Sequence, residues 1–227
     1  MSDMGEISWI LCMHVTHDHK AGLVSLSQEK FIEDILQRFG KSNVRPMPTP
    51  VLANEQLNKL KTPKIEVKEY QQAIGSLMYP MLDTCPDLAF TVALLGRHTA
   101  TPGEQHQRAL DHIFRYLRGT SNWSLAFQQG RENGLTLHGY ADADWANDSS
   151  DRKSTSGFVF LLAGGAISWS SKKQSSITLS STEAEYIAGA HAIKELIWLR
   201  RLLGELGLPI NTPTMLLMDN QSAITIV

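Results

Sequence analysis

The sequence predicts a chain of mixed class, α+β through its first half and α/β in its second, where a mixed sheet is followed by one long helix. Three observations predict it. Apolar residues alternate with period two at the start and again after Gly119, a helical period fills the stretch between, and a single helical pattern runs from about residue 182 to 206.

Residues 7–16 read as one strand, 17–22 as a turn and 23–26 as a second strand. Ser27 is placed to cap a helix whose buried stripe is Phe31, Ile32, Ile35, Leu36 and Phe39, and Gly40 is placed to end it. This first segment, residues 1–45, gives way to a connector over 46–65. There Pro46, Pro48, Pro50 and Pro63 exclude regular helix. Residues 66–120 are helical, with Tyr70, Ile74, Leu77 and Met78, then Leu88, Val92 and Leu95, then Leu110, Ile113, Phe114 and Leu117 as successive apolar stripes. The last of these opens on Thr101-Pro102-Gly103-Glu104, which predicts a cap at Thr101 and proline in the first helical position.

The sheet domain occupies 121–227. Its predicted strands are 123–127 and 135–140 around an Asn133-Gly134 turn, then 155–162 and 166–171 around Gly164-Gly165. The helix over 182–206 is apolar on most sides, so cover by more than one neighbour is expected. Gly207 and Pro209 stop it, residues 214–218 read as a further strand, and a helix begins near Gln221.

Composition narrows the possible functions. A chain of 227 residues with 42% hydrophobic content can bury a core, and a net charge of -2 argues against binding nucleic acid through bulk positive charge. Cys12 and Cys85 stand far apart, without zinc or disulfide spacing, which fits an intracellular setting, cytoplasm or nucleus. No stretch reaches the roughly 18 apolar residues of a membrane span, so no membrane partner is expected.

Three acidic residues fall on three different elements: Asp142 at the end of the strand before the 155–171 hairpin, Glu183 in the first turn of the long helix, and Asp219 after the following strand. If those two strands are parallel neighbours, both aspartates leave the sheet at one edge. Carboxylates converging there could hold divalent ions roughly 3.5 to 4 Å apart for phosphodiester hydrolysis. Glu183 and Glu185 lie about 200° apart around a helix, so only one can face the ions. A Thr182-x-x-Glu185 capping box gives Glu185 a structural task and leaves Glu183 for the site. Asp144 is expected beyond the strand end, behind the ligands or at the surface. A calcium loop fits poorly, because Asp142 to Asn147 has alanine at its fifth position and no glycine at its sixth. Singly, each acid also suits a plain role: a turn for Asp142, the helix dipole for Glu183, a helix cap for Asp219.

Several segments carry a family resemblance: Leu26-Ser27-Gln28-Glu29-Lys30-Phe31-Ile32, Gln72-Ala73-Ile74-Gly75-Ser76-Leu77-Met78-Tyr79, Tyr140-Ala141-Asp142-Ala143-Asp144-Trp145, Ser168-Trp169-Ser170-Ser171-Lys172-Lys173-Gln174, Ser180-Ser181-Thr182-Glu183-Ala184-Glu185-Tyr186 and Asp219-Asn220-Gln221-Ser222-Ala223. Along essentially its whole length the chain resembles the polyproteins of copia-type LTR retrotransposons, from the end of the reverse transcriptase into ribonuclease H. The resemblance implies a palm and thumb tail over 1–45, a helical thumb and connection region over 66–120, and a ribonuclease H-like mixed sheet with a long central helix over 121–227.

It also implies two Mg2+ (or Mn2+) ions, with Asp142, Glu183 and Asp219 as catalytic and metal-binding residues that cut the RNA strand of an RNA-DNA hybrid. A fourth acid and a Tyr-x-Asp-Asp polymerase turn have no counterpart here, so polymerase activity is not expected. By the same comparison the last strand and helix of the domain are missing after Val227. A weakened second metal site, weak or absent nuclease activity and self-association through an open sheet edge are expected.

Arg152, Lys153, Lys172 and Lys173 are the candidate contacts to nucleic-acid phosphates, and they also suit a solvated surface. Trp145 and Trp169 are expected to pack at the core or its rim, His191 to be a core histidine, and His138 to have no ligand role. Two other functions remain open from sequence: a non-catalytic nucleic-acid-binding or protein-interaction module, and a relic without a selected role.

Overall fold

The structure is a computed structural model that describes residues 5–51, 57, 65–128, 136–148 and 150–226. It divides into two compact units, Met1–Ala126 and Phe127–Val227.

The first unit opens on strands β1 (Trp9–Ile10), β2 (Met13–Asp18) and β3 (Leu23–Ser27), paired antiparallel in sequence order. The single strand expected over 7–16 is broken, because Leu11 and Cys12 take φ of 46° and 58° and reverse the chain. Neither is a residue that favours such a turn, so the sequence held no signal for it. Helix α1 (Glu29–Arg38) buries Ile32, Ile35 and Leu36 and stops before Gly40, whose φ of 66° suits glycine. Helices α2 (Val67–Asp83), α3 (Ala89–Gly96) and α4 (Glu104–Thr120) share one core with α1, in which Tyr70, Leu77, Leu88, Leu95, Leu110, Ile113 and Leu117 are all almost completely buried. The α4 cap differs from expectation. The helix starts at Glu104, and the Gly103 N–H donates to Nδ1 of His106 at 2.8 Å. Of the proline-rich connector, residues 52–56 and 58–64 lie outside the described residues; its beginning is fastened to α4 by the Met47 N–H donating to the Arg115 carbonyl at 3.2 Å.

Strand β4 (Leu125–Gln128) follows α4. Among the described residues it is ordered beside β3 in the first sheet and not beside β5 (His138–Asp144), as the expected hairpin would have it; the predicted turn at 130–134 lies outside the described residues. The second unit's sheet contains β5, β6 (Thr155–Leu162), β7 (Gly165–Lys173) and β8 (Met215–Leu217), in the order β7-β6-β5-β8. The β5-β6 and β6-β7 pairs are antiparallel, with Ala163 and Gly164 at positive φ in the β6-β7 turn, whereas β5 and β8 run parallel. A parallel pair needs a crossover, and helix α5 (Ser181–Glu205) supplies most of it. Helix α6 (Gln221–Ile226) comes last among the described elements.

One face of α5 packs on the sheet through Ala184, Ala188, Ala192, Leu199 and Leu203, all buried. Its small residues permit close approach. Gly189 lies where a Cβ would stand 3.1 Å from the Met218 thioether, and Gly139 on β5 lies where one would stand 2.4 Å from the Phe160 ring. The cover expected on most sides of this helix is not found among the described residues: Tyr186, Ile197, Trp198 and Leu206 are exposed.

Candidate metal centre

The β5-β8 register decides where the aspartates go. Tyr140 is paired with Leu217, and Asp142 and Asp219 each follow that pair by two residues, so both leave the sheet at the same end. Ala141 and Ala143 alternate with Asp142 along β5 and are buried, which turns Asp142 to the exposed side. After β8 the chain turns into α6, where the Asn220 side chain accepts the Ala223 N–H at 2.9 Å. Asn220 therefore takes the capping task that Asp219 could have taken.

The third carboxylate is Glu185. Carboxylate oxygens of Asp142, Glu185 and Asp219 all lie within 4.8 Å of one another, the one such acidic group among the described residues. Glu183 is not part of it. Helix α5 begins at Ser181; the Ser180 hydroxyl accepts the Glu183 N–H at 3.1 Å, and Glu183 Oε2 accepts the Leu179 N–H at 2.8 Å. The cap is thus Ser180, with Glu183 at the third helical position reaching back to the N–H of Leu179, two residues before the Thr182-x-x-Glu185 box expected from sequence. The two glutamates exchange tasks. The run Ser180-Ser181-Thr182 before Glu183-Ala184-Glu185 satisfies the box signature in both registers, and only the helix start separates them.

Glu185 is 5% exposed. Its Oε1 accepts the Ala143 N–H at 3.3 Å, and its Oε2 is buried without a hydrogen-bond partner among the described residues. Burial pushes its carboxyl pKa up from 4.5 to about 7, the neighbouring Asp142 and Asp219 charges push the same way, and the Ala143 N–H pulls against them. A buried oxygen with no donor, beside two exposed carboxylates, is a set of hard ligands that a divalent cation would satisfy.

The remaining predicted residues are placed as follows. Asp144 stays outside the trio and accepts from the Asn147 side-chain amide. Lys173 is held between Asp148 and Asp151, 2.8 Å from the latter. Asp148 is 8% exposed; burial alone would raise its pKa, but Lys173 and Ser150 bring it far below the ordinary carboxylate range. Lys173 is thus a loop fastener. Arg152 is exposed at φ 57°, Lys153 is half-buried and donates its N–H to the Asp151 carboxylate at 3.2 Å, and Lys172 is exposed. Trp145 is half-exposed with its indole N–H on the Thr178 carbonyl at 3.4 Å, and Trp169 is half-buried. His138 packs its ring against Tyr140. His191 is not a core residue but an exposed one. Gln174, which the sequence did not single out, is buried and donates to the Ser156 hydroxyl at 2.8 Å and the Ala184 carbonyl at 3.0 Å, fastening the start of α5 to the sheet.

A mixed sheet crossed by one long helix, with three carboxylates gathered where a parallel strand pair meets the start of that helix, defines a mixed α/β protein with an acidic cluster at one sheet end. The chain is 43% identical to the retrovirus-related Pol polyprotein from transposon TNT 1-94 of Nicotiana tabacum, across 99% of this chain and 17% of that polyprotein. It is 40% identical to the Pol polyprotein from transposon RE1 of Arabidopsis thaliana, across 87% of this chain and 13% of the relative. An uncharacterized mitochondrial protein of Arabidopsis thaliana is 33% identical across 87% of this chain and 80% of its own length. The chain belongs to the retrovirus-related Pol polyproteins of copia-type retrotransposons, and it spans less than a fifth of the two polyproteins named. No family model and no solved structure matches it. No described helix is long and apolar enough to cross a membrane.

Proposed function

We propose that the second unit is the ribonuclease H-type part of a retrotransposon polyprotein and acts on the RNA strand of RNA-DNA hybrids, with Asp142, Glu185 and Asp219 as ligands for Mg2+ or Mn2+. The observation that carries this reading is the convergence of those three carboxylates, from three separate elements, around a buried oxygen of Glu185 that has no hydrogen-bond partner among the described residues. Asp142, Glu185 and Asp219 would hold such an ion, which when bound would supply Lewis-acid chemistry toward a phosphodiester. Asp142 and Asp219 are exposed and so accessible to a polynucleotide, while Glu185, anchored by the Ala143 N–H, fixes the depth of the site. The first unit is read as the polymerase tail and connection region that precedes this nuclease in the polyprotein.

The described residues bring no fourth carboxylate to the trio, so cleavage by this chain alone is expected to be weak. That same observation favours a second reading, binding of nucleic acid without cleavage. Calorimetric titration with Mg2+ and Mn2+, paired with a hybrid cleavage assay, separates them. Metal binding and slow cleavage, both lost in Asp142→Asn and Glu185→Gln and kept in Glu183→Gln, support the nuclease. Hybrid binding with no metal-dependent cleavage supports the binding module.

A further inference from the structure

Lys172 and Lys173 are neighbours on β7 whose side chains leave opposite faces of the sheet. Lys173 is neutralised by two aspartates. Lys172 has no ion-pair or hydrogen-bond partner among the described residues, and it opens into a cleft of about 180 Å³ lined by Ser156, Phe158, Ser170, Lys172, His191 and Lys194. The lining holds two lysines, a histidine and two hydroxyls, and no carboxylate. His191 and Lys194 are exposed and, like Lys172, have no polar partner among the described residues. The Ser156 hydroxyl already accepts from Gln174, which leaves its own proton to donate outward.

We propose that this cleft between α5 and β7 is a seat for a backbone phosphate of nucleic acid. The proposal rests on the nuclease reading for its choice of ligand, and on the cleft itself for the chemistry. Up to five donors with positive charge suit a tetrahedral dianion or a phosphodiester, and none suits a cation. The position suits a polymer. Glu185 and His191 are six residues apart on α5, about 9 Å along its axis. Ser156 is the β6 partner of Ala143, next to Asp142. A strand lying across the carboxylates therefore has other phosphates within reach of the cleft, and contact there would fix its register without reading its sequence.

The test is hybrid binding by fluorescence anisotropy in chelator, so that cleavage plays no part, over a series of salt concentrations. Lys172→Gln/Lys194→Gln is compared with wild type and with Lys153→Gln, and inorganic phosphate is titrated separately while the His191 ring protons are followed by NMR. Thermal melting checks that the variants are folded. The expected result is an affinity loss of about tenfold in the double variant, with a salt slope reduced by about one, and restoration by Lys172→Arg/Lys194→Arg. An unchanged affinity and slope in the double variant, with wild type binding normally, overturns the seat and leaves the nuclease reading standing. Shifts of His191 with inorganic phosphate and no loss of hybrid affinity overturn the polymer assignment in favour of a free-phosphate site. Absence of both hybrid binding and phosphate shifts in wild type overturns the seat, whereas metal-dependent calorimetric heats in that same protein still uphold the carboxylate centre.

Discussion

Glu185 Oε1 accepts the N–H of Ala143, the residue that follows Asp142, so the helix carboxylate and the strand carboxylate are joined through one peptide. The other oxygen of Glu185 has no such partner among the described residues. Within this unit the arrangement stores an unfavourable interaction that a cation would relieve.

Its pH dependence follows from the raised pKa. Folded Glu185 binds a proton up to about pH 7, whereas the unfolded carboxyl releases it near 4.5. The folded state therefore carries more protons between those values, and stability falls as pH rises through that window. The stabilising effect of protonated Glu185 is complete below about 4.5 and lost above about 7, a change on the order of 3 kcal/mol. In chelator, Glu185→Gln is expected to match wild type at pH 4.5 and to melt higher at pH 8, because an amide has no charge to bury and can donate to Asp142 or Asp219. Saturating Mn2+ should raise the wild-type melting temperature at pH 8 and leave the variant unmoved. A wild-type curve parallel to the variant's across this window would refute the assignment.

Much of this centre was legible in the sequence, and the rest depended on a helix start. Asp142 and Asp219 could be paired because a strand, hairpin, long helix and strand can close in few ways, and the parallel β5-β8 register confirms that placement. Glu183 and Glu185 could not be separated, because local capping chemistry is satisfied in two registers and tertiary burial chooses between them. The same limit explains β1 and β2, where Leu11 and Cys12 adopt positive φ that neither residue announces. His191 was misjudged for a related reason. An apolar helix pattern marks a buried face only where a second layer covers it, and none covers that side among the described residues.

Lys172 and Lys173 should respond very differently to the same change. Lys173→Met removes the ammonium that faces the Asp148 carboxylate, which is 8% exposed and also accepts from Ser150. A loss of about 2–3 kcal/mol in urea unfolding is expected, below the full range for a buried pair because the Lys173 side chain is 23% exposed. Lys172→Met should change stability by less than about 0.5 kcal/mol. The Asp148 carboxyl is depressed in the folded state, so its contribution is present above the ordinary carboxylate range and disappears only as pH falls through the lowered value. Acid unfolding of Lys173→Met should accordingly begin at higher pH than that of wild type.

Gly139 is required by Phe160. A Cβ there would stand 2.4 Å from a ring that is fully buried, in strands whose register leaves it no room to retreat. Gly139→Ala should cost about 1–3 kcal/mol through overpacking, and Phe160→Leu in the same chain should recover part of that loss. Additive losses in a double-mutant cycle would show that the two positions do not meet.

The exchange of tasks between the two glutamates yields the sharpest contrast. Glu183→Ala removes the acceptor of the Leu179 N–H but leaves the Ser180 hydroxyl on the first turn of α5. Its expected effect is a stability loss of roughly 0.5–1 kcal/mol, with Mn2+ affinity unchanged. Glu185→Ala should do the reverse in metal binding: it opens a cavity beside Ala143, yet relieves a buried charge, so stability at pH 8 changes little while Mn2+ heats vanish. Measuring both variants by calorimetry and urea unfolding tests each residue against the other's role. Loss of metal binding in Glu183→Ala, with retention in Glu185→Ala, would return the ligand role to Glu183 and require α5 to begin two residues later than it does here.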